Sequence, residues 1–239
     1  MNNFLTILSF LLLISCSQKK YHIDEITTPS DTLSYLKNDM SLLNGLVYCE
    51  FGDLGLYVNG KKDGVHKEWY ENGQLMFEKN YKNGTRDGLF RFWYENGQLE
   101  SERSFKDWKK LGLEREWWSN GQIRKETRYY NNLLGYPWNY ENKGWDENGR
   151  LWNEVFFKDD NRNSLIRRFW YENGQLKEEF DYRDKFRDYF HRVWYENGQL
   201  MFEGNKKNGK WDWVRSWNED GQPNSDSIGF IGGELIKLN

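Results

Sequence analysis

The sequence predicts an all-β protein: an elongated, single-sheet antiparallel β-meander built of about seven hairpin repeats of 24 residues. The first observation behind this prediction is a motif of the form Trp-Tyr-Glu-Asn-Gly-Gln-Leu that recurs along the chain. Successive motif Trp residues are 24, 24, 28, 25, 24 and 23 residues apart. Self-similarity at such a period is typical of repeat architectures. The seven motif Trp residues are Trp69, Trp93, Trp117, Trp145, Trp170, Trp194 and Trp217.

The second observation is that each unit contains two turn signals. Asn-Gly between alternating segments favours a hairpin, and we expect a type I′ turn at the motif because that type needs positive φ at both central residues. A second turn follows half a period later, at Asn59-Gly60, Asn83-Gly84 and Asn208-Gly209. Each unit therefore holds two strands of about seven residues. The motif glycines are Gly73, Gly97, Gly121, Gly149, Gly174, Gly198 and Gly221.

The third observation is a charge pattern that predicts the register. With Asn72-Gly73 as the two loop residues, Lys67 faces Glu78 across the hairpin. Every unit has a base two residues before its Trp and an acid nine residues after it. A slip of one residue would break all of these cross-strand pairs. The bases are Lys67, Arg91, Arg115, Lys143, Arg168, Arg192 and Arg215, and the acids are Glu78, Glu102, Glu126, Glu154, Glu179, Glu203 and Asp226.

Strand alternation predicts that the two faces of this sheet differ. The Trp shares its face with the charged pairs, and we place Tyr70, Leu75, Phe77 and Tyr81 on the other face. Because the pairs recur in every unit, we interpret them as structural and not catalytic. Exposed pairs contribute only about 0.2–1 kcal/mol each, so register and solubility are their expected roles.

Composition narrows the function classes. The chain has 239 residues, of which 18% are aromatic, and this aromatic content argues against disorder. The formal net charge is −3, and each repeated base has an acid opposite, so we expect no binding to nucleic acid. His22, His66 and His191 lack metal-ligand spacing. We therefore expect no cofactor, no metal and no enzyme activity.

The N-terminal residues predict where in the cell the protein is located. The apolar run of residues 4–14 is too short for a membrane span and fits a signal peptide. It ends in Leu13-Ile14-Ser15-Cys16, which resembles the lipobox of bacterial lipoproteins. The resemblance implies a lipid anchor on Cys16 in the bacterial cell envelope, in the outer membrane or at the cell surface rather than in the inner membrane. An ordinary signal peptide or a buried N-terminal helix is the alternative.

These assignments divide the chain into three parts: a signal peptide (1–15), a lipidated Cys with a tether (16–45) and a repeat domain with degenerate end units (46–239). If Cys16 is acylated, Cys49 has no partner for a disulfide. We interpret Cys49 as a buried, inert thiol.

With its recurring motif the chain resembles the bacterial variant of MORN repeats, whose units read much like WYENGQLxxExxYxNGxxDG. The resemblance implies a continuous antiparallel meander that grows by one hairpin per repeat. Many bacterial members carry the label of a toxin–antitoxin system antitoxin. The chain departs from the pattern in the extended third repeat, whose linker 131–144 holds three aromatic residues and a proline.

The sequence leaves three functions open. The leading hypothesis is a protein-binding or scaffold module, because extended repeat surfaces commonly serve recognition. Its expected partner is an envelope protein, with a glycan or a lipid headgroup also possible, and its expected contact region is Tyr136, Trp138 and Tyr140. The same three aromatics also fit a local kink. An antitoxin that masks a toxin and a purely structural envelope spacer are the other two functions.

Overall fold

The fold, seen in a computed structural model, is all-β, as the repeat predicts. The structure describes residues 18–30, 32–130, 140–158, 164–183, 187–224, 228–231 and 234–237. In these residues a 3-10 turn (Ile23–Glu25) follows the first strand. The strands are β1 (Lys20–His22), β2 (Ile26–Ser30), β3 (Leu33–Leu36), β4 (Gly45–Cys49), β5 (Gly52–Val58), β6 (Lys61–Trp69), β7 (Leu75–Lys82), β8 (Thr85–Trp93), β9 (Leu99–Lys106), β10 (Lys109–Trp117), β11 (Ile123–Tyr129), β12 (Tyr140–Trp145), β13 (Leu151–Phe157), β14 (Leu165–Trp170), β15 (Leu176–Arg183), β16 (Asp188–Trp194), β17 (Leu200–Lys207), β18 (Lys210–Ser216), β19 (Ile228–Ile231) and β20 (Glu234–Lys237).

One sheet of eighteen strands contains nearly all of these elements. From β4 to β20 each strand pairs antiparallel with the next strand in the chain. Strand β1 joins β4 in parallel, and β2 and β3 form a separate hairpin. The predicted meander is confirmed.

The motif turn is not the predicted type I′ turn. Its loop has three residues: Gly73 N–H donates to the Tyr70 carbonyl at 2.9 Å, and Tyr70 N–H donates to the Gln74 carbonyl at 2.8 Å. Only Gly73 in this loop has positive φ, at 80°. This is a type I turn followed by a left-handed glycine, the common three-residue hairpin loop. The prediction was wrong because it assigned both central positions to Asn-Gly.

A compensating bulge nevertheless keeps the predicted charge register. The loop pairs Trp69 with Leu75, and a register shift between Glu68 and Trp69 then restores the pairing of Lys67 with Glu78. Bulges of this kind put two residues opposite one. The pairing also places Leu75 on the face of Trp69, which corrects its predicted position on the other face.

The type I′ geometry occurs at the second turn of the unit. Asn83 and Gly84 have φ of 50° and 79°, and they connect the paired residues Lys82 and Thr85. Backbone φ is also positive at both positions of three other turns: Asn59-Gly60, Asp107-Trp108 and Asn208-Gly209. These turns stack on one another at one end of the strands, where the Gly84 N–H donates to the Lys62 carbonyl at 2.8 Å.

The predicted tether over 16–45 is wrong for residues 18–30 and 32–45, which are folded. Leu43 is fully buried and forms an apolar cluster with Ile26 and Val47. Ser34 N–H donates to the Gly60 carbonyl at 2.8 Å. The apolar side chains of this segment cover the start of the sheet, and an uncovered sheet edge invites aggregation. The segment is therefore a cap.

Candidate functional site

One face of the sheet carries a continuous row of alternating bases and acids, which we name the charge ladder. From Lys67 to Arg192 each base faces the acid of its own hairpin, as predicted, and from Arg91 to Arg215 each also faces the acid of the preceding one. The row crosses β6 to β18 without a break in alternation. Its members are Lys67, Glu78, Arg91, Glu102, Arg115, Glu126, Lys143, Glu154, Arg168, Glu179, Arg192, Glu203 and Arg215. The predicted acid Asp226 lies outside the described residues.

The ladder is ionic along almost its whole length. Eleven of the twelve neighbouring pairs among these described residues lie within 4.0 Å, from 2.7 to 3.9 Å. Burial opposes the charge on Arg168, but its hydrogen bonds to Glu179 and Glu154 outweigh burial and raise its pKa. Nine of the thirteen charges have an ion-pair partner on both sides; Lys67, Glu126, Lys143 and Arg215 have one each among the described residues, and this regular pairing suits a structural row.

A second set of repeated contacts joins the motif turns. The hydroxyl of Tyr70 donates to the carbonyl of Trp93, the next motif Trp, at 2.7 Å, and Asn72 Nδ2 donates to the Glu95 carbonyl at 2.9 Å. The corresponding Tyr contacts are Tyr94 to Trp117, Tyr171 to Trp194 and Tyr195 to Trp217. These contacts are not among those predicted from the sequence. The signal was present, since a Tyr and an Asn recur at fixed offsets in a solvent-facing turn.

The motif Gln and Gly also belong to this turn stack. A Cβ on Gly97 would overlap Oε1 of Gln74 from the preceding repeat. Arg150 occupies the Gln position in the fourth repeat, and it donates to the Glu172 carbonyl at 3.0 Å. The motif therefore encodes contacts between neighbouring repeats.

The opposite face, which we name the aromatic–basic face, changes along the chain. At β5 to β9 it carries cations over aromatic rings, and we call this the proximal cluster. Lys79 Nζ lies 3.3 Å from the ring centroid of Phe77 and 5.0 Å from that of Phe92. The proximal cluster comprises Tyr57, Lys62, Phe77, Lys79, Tyr81, Arg86, Phe90, Phe92, Arg103 and Phe105.

The proximal cluster concentrates positive charge around a packed aromatic base. Phe90 is only 2% exposed, and its ring lies 4.8 Å from that of Phe105. Burial lowers the pKa of Lys79, and the nearby charges of Lys62, Arg86 and Arg103 lower it further, against the raising effect of Glu68. Such shifts indicate cations held in a partly desolvated, mutually repelling arrangement.

Strand β10 adds a buried acid to this face. Glu114 accepts hydrogen bonds from Lys110 at 2.9 Å and from the Tyr129 hydroxyl at 2.7 Å, and it lies 3.3 Å from Arg103. Burial raises the pKa of Glu114, but these hydrogen bonds outweigh burial, so the net pKa is lowered. Burial and the bond to Glu114 raise the pKa of Tyr129. The acid is thus satisfied as a structural carboxylate.

At β15 to β18 the same face carries six half-buried rings, which we name the distal aromatic cluster. The rings of Phe180 and His191 stack at 4.3 Å with an interplanar angle of 8°. His191 Nε2 lies 2.8 Å from Glu178 Oε1. The cluster comprises Phe180, Tyr182, Tyr189, His191, Phe202 and Trp211.

The predicted contact region is only partly described. Tyr136 and Trp138, like Cys16, lie outside the described residues. Tyr140 begins β12, is half-buried and contacts Tyr129 with ring centroids 6.2 Å apart. The register places both rings on the aromatic–basic face, two residues along from the pair Thr127 and Asn142.

The remaining candidates do not assemble into a site. Cys49 is a free thiol and is half-buried, not fully buried as expected. In the described part of the chain no group of three His, Cys, Asp or Glu residues could hold a metal ion. None of the helical structure found in those residues is long and apolar enough to cross a membrane.

Comparison with known families agrees with this architecture. Five segments match the MORN repeat variant family. They are residues 62–83, 86–107, 110–132, 165–184 and 191–208, and each contains one motif turn or its flanking strands. Repeats of this family are generally modules for interaction with proteins or membranes and are not catalytic. No curated protein matches the chain.

The structure extends the repeat beyond the matched segments. The units of Trp145 and Trp217 are not matched, yet both close the same three-residue loop. Gly149 N–H donates to the Asp146 carbonyl at 3.0 Å, and Gly221 N–H donates to the Asn218 carbonyl at 2.9 Å.

Proposed function

We propose that the protein is a non-enzymatic scaffold of the bacterial cell envelope, anchored by lipid on Cys16, that binds a partner protein with its aromatic–basic face. The observation that carries this proposal is the distal aromatic cluster. Its six rings are half-buried and contiguous, although no repeated charge pair occupies that part of the face. Aromatic residues are enriched at protein interfaces and at their energetic centres.

The two faces of the sheet differ in how much free energy a partner would gain by binding to them. On the ladder face each charge is neutralised by its neighbours, so a partner would have to break ion pairs to dock. On the aromatic–basic face a partner would bury rings that already lie at the surface. Desolvating rings stabilises a complex, whereas desolvating paired charges costs free energy. Tyr140 belongs to the favoured face, next to the linker of Tyr136 and Trp138.

The anchor would hold the sheet close to the bilayer. Strand β1 begins at Lys20, four residues after Cys16. Four extended residues span at most about 14 Å. An acylated Cys16 would therefore place the cap, and the first strands it covers, beside the membrane surface.

Site-specific photocrosslinking in intact cells tests the binding face. A photoreactive phenylalanine analogue at Tyr189, in the distal aromatic cluster, should give a discrete protein adduct. The matched control is the same analogue at Trp152, which is 48% exposed and lies outside the cluster. Equal adducts at both positions, or an adduct only at Trp152, would contradict the proposal. An adduct to a small toxic protein encoded nearby would make the partner a toxin.

Labelling with radioactive palmitate tests the anchor. The full chain should incorporate the label and sediment with membranes, and Cys16→Ala should lose both properties. Cys49→Ala is the matched control and should behave as the full chain does. Label that persists in Cys16→Ala would refute lipidation at that residue.

A further inference from the structure

Two adjoining cavities lie on the aromatic–basic face, beside the stacked type I′ turns at the ends of the strands. The outer cavity has a volume of about 660 Å³ and lies between the cap and strands β5 to β8. The inner cavity, of about 80 Å³, lies over Phe90, Phe92 and Phe105. Arg86 lines both. The outer volume is within the range of small-molecule sites.

All charged side chains that line the two cavities are basic. Lys61, Lys62 and Arg86 line the outer cavity, and Lys79, Arg86 and Arg103 line the inner one. Among the described lining residues there is no Asp or Glu; Asp63, which accepts from the Asn83 N–H at 3.0 Å, and Glu114, which lies 3.3 Å from Arg103, are outside both linings. This departs from the rest of the sheet, where the repeated bases are matched by acids.

Aromatic rings position Lys79 and Arg86, whereas Arg103 also lies 3.3 Å from Glu114 and donates to the Ser101 hydroxyl. The Arg86 guanidinium lies 5.8 Å from the ring centroid of Phe90, 5.5 Å from that of Phe105 and 5.3 Å from that of Trp108. Arg103 Nε is buried and has no hydrogen-bond partner in the described part of the chain. A cation held on a ring keeps its donors available for an anion, since the ring accepts none of its conventional hydrogen bonds.

The outer cavity has the complementary chemistry of hydroxyl recognition. Its lining includes residues that carry hydroxyl groups, of which Thr28 and Ser34 bond to each other at 3.0 Å; others are Tyr57, Tyr81 and Thr85. Trp108, at its rim, is 56% exposed. A flat exposed indole can pack against the apolar face of a sugar ring, and polar groups around it can pair with the sugar hydroxyls.

We propose that the two cavities together bind an anionic monosaccharide. Its oxyanion, a phosphate or a carboxylate, lies in the inner cavity among Lys79, Arg86 and Arg103. Its sugar ring lies in the outer cavity against Trp108. This site is independent of the distal aromatic cluster, and it assigns the basic residues of the proximal cluster a task that the scaffold does not require.

Isothermal titration calorimetry on the purified full-length protein tests the site with four probes: glucose 6-phosphate, glucuronate, glucose and inorganic phosphate. We expect at least one of the two anionic sugars to bind about tenfold or more tightly than both glucose and inorganic phosphate. Which anionic sugar binds identifies the oxyanion. Failure of both to bind, or equal binding by glucose or by inorganic phosphate alone, would overturn the proposal.

Variants then test the location of the site. Arg86→Gln, at an exposed side chain, should weaken binding about tenfold, and Trp108→Ala should also weaken it. Arg128→Gln is the matched control, because Arg128 is exposed and lines neither cavity. Each variant is checked for an unchanged melting temperature without ligand. Wild-type affinity in both Arg86→Gln and Trp108→Ala, or an equal loss in Arg128→Gln, would refute the assignment.

Discussion

The two faces of this sheet differ in how they change from repeat to repeat. The charge ladder presents the same alternation on every strand from β6 to β18. The aromatic–basic face instead runs from cations on rings, through the buried Glu114, to the stacked rings of Phe180 and His191. A feature that recurs in every unit serves the architecture that every unit shares. The face that varies is the one that can distinguish partners.

The largest expected difference between the faces appears at two adjacent residues of β8. Phe90 points to the aromatic–basic face and is 2% exposed, whereas Arg91 belongs to the ladder and its side chain is 40% exposed. Phe90→Ala should lower the free energy of unfolding by about 3 kcal/mol or more, because it leaves a cavity. Arg91→Ala should lower it by about 1 kcal/mol or less.

Urea unfolding followed by tryptophan fluorescence measures both changes. A loss for Arg91→Ala as large as that for Phe90→Ala would mean that the ladder, and not the ring packing, dominates the stability of this strand.

A pH effect of intermediate size comes from His66 on the aromatic–basic face. Burial lowers its pKa to about 4, and its neutral ring donates from Nε2 to the Leu56 carbonyl at 2.8 Å. Because the unfolded chain takes up the proton near pH 6.5, stability is full above that pH and falls as the pH drops towards 4. Between pH 7 and pH 5 the loss should be about 2 kcal/mol.

The matched control is His66→Phe, measured by urea unfolding at the same pH values. It should remove most of the slope between pH 7 and pH 5, because phenylalanine takes up no proton in the unfolded chain. A slope that is unchanged in His66→Phe would assign the effect to other groups.

A smaller effect isolates the turn stack. Tyr94→Phe removes the hydroxyl that donates to the Trp117 carbonyl at 2.7 Å and should cost about 1 kcal/mol. Tyr48→Phe, at a Tyr that is 38% exposed in β4, is the control and should change the stability little. Equal costs for the two variants, measured by urea unfolding, would show that the inter-repeat hydroxyl contributes nothing specific.

The smallest effect concerns the ladder alone. Arg168→Gln should destabilise by about 1 kcal/mol or less at low ionic strength, and most of that cost should disappear in 1 M NaCl because salt screens partly exposed pairs. The cost of Phe90→Ala should not shrink in the same salt. A cost for Arg168→Gln that is independent of salt would indicate packing of the guanidinium instead of charge.

Much of the fold followed from the sequence because its signals are periodic. The Trp spacing gives the unit, and the base–acid offsets give the pairing of Lys67 with Glu78 despite the wrong turn type. The prediction of the turn type was wrong because a bulge beside Trp69 compensates for the longer loop. A bulge leaves no separate signal in the charge pattern. The cap was predicted to be a tether because the packing of Ile26 against Leu43 and Val47 has no periodic signal and depends on tertiary contact.

The candidate sites were less predictable for the same reason. The cavities around Arg86 depend on the β2–β3 hairpin, whose docking on the sheet edge no repeat encodes. The distal aromatic cluster combines residues from four strands at positions that vary between repeats: the position of His191 holds His66 in the first repeat but Glu114 in the third. Such a cluster can be recognised only once the register of the four strands is known.

Cysteine accessibility in intact cells tests most directly whether the two faces divide their tasks. In a Cys49→Ser background, single cysteines are placed at Tyr189 and Lys206 on the aromatic–basic face and at Arg91 and Arg192 on the ladder. Modification by a polar maleimide is then compared between cells and purified protein. Positions 189 and 206 should be protected in cells, while positions 91 and 192 should react as they do in the purified protein. Protection confined to positions 91 and 192 would contradict this division of tasks.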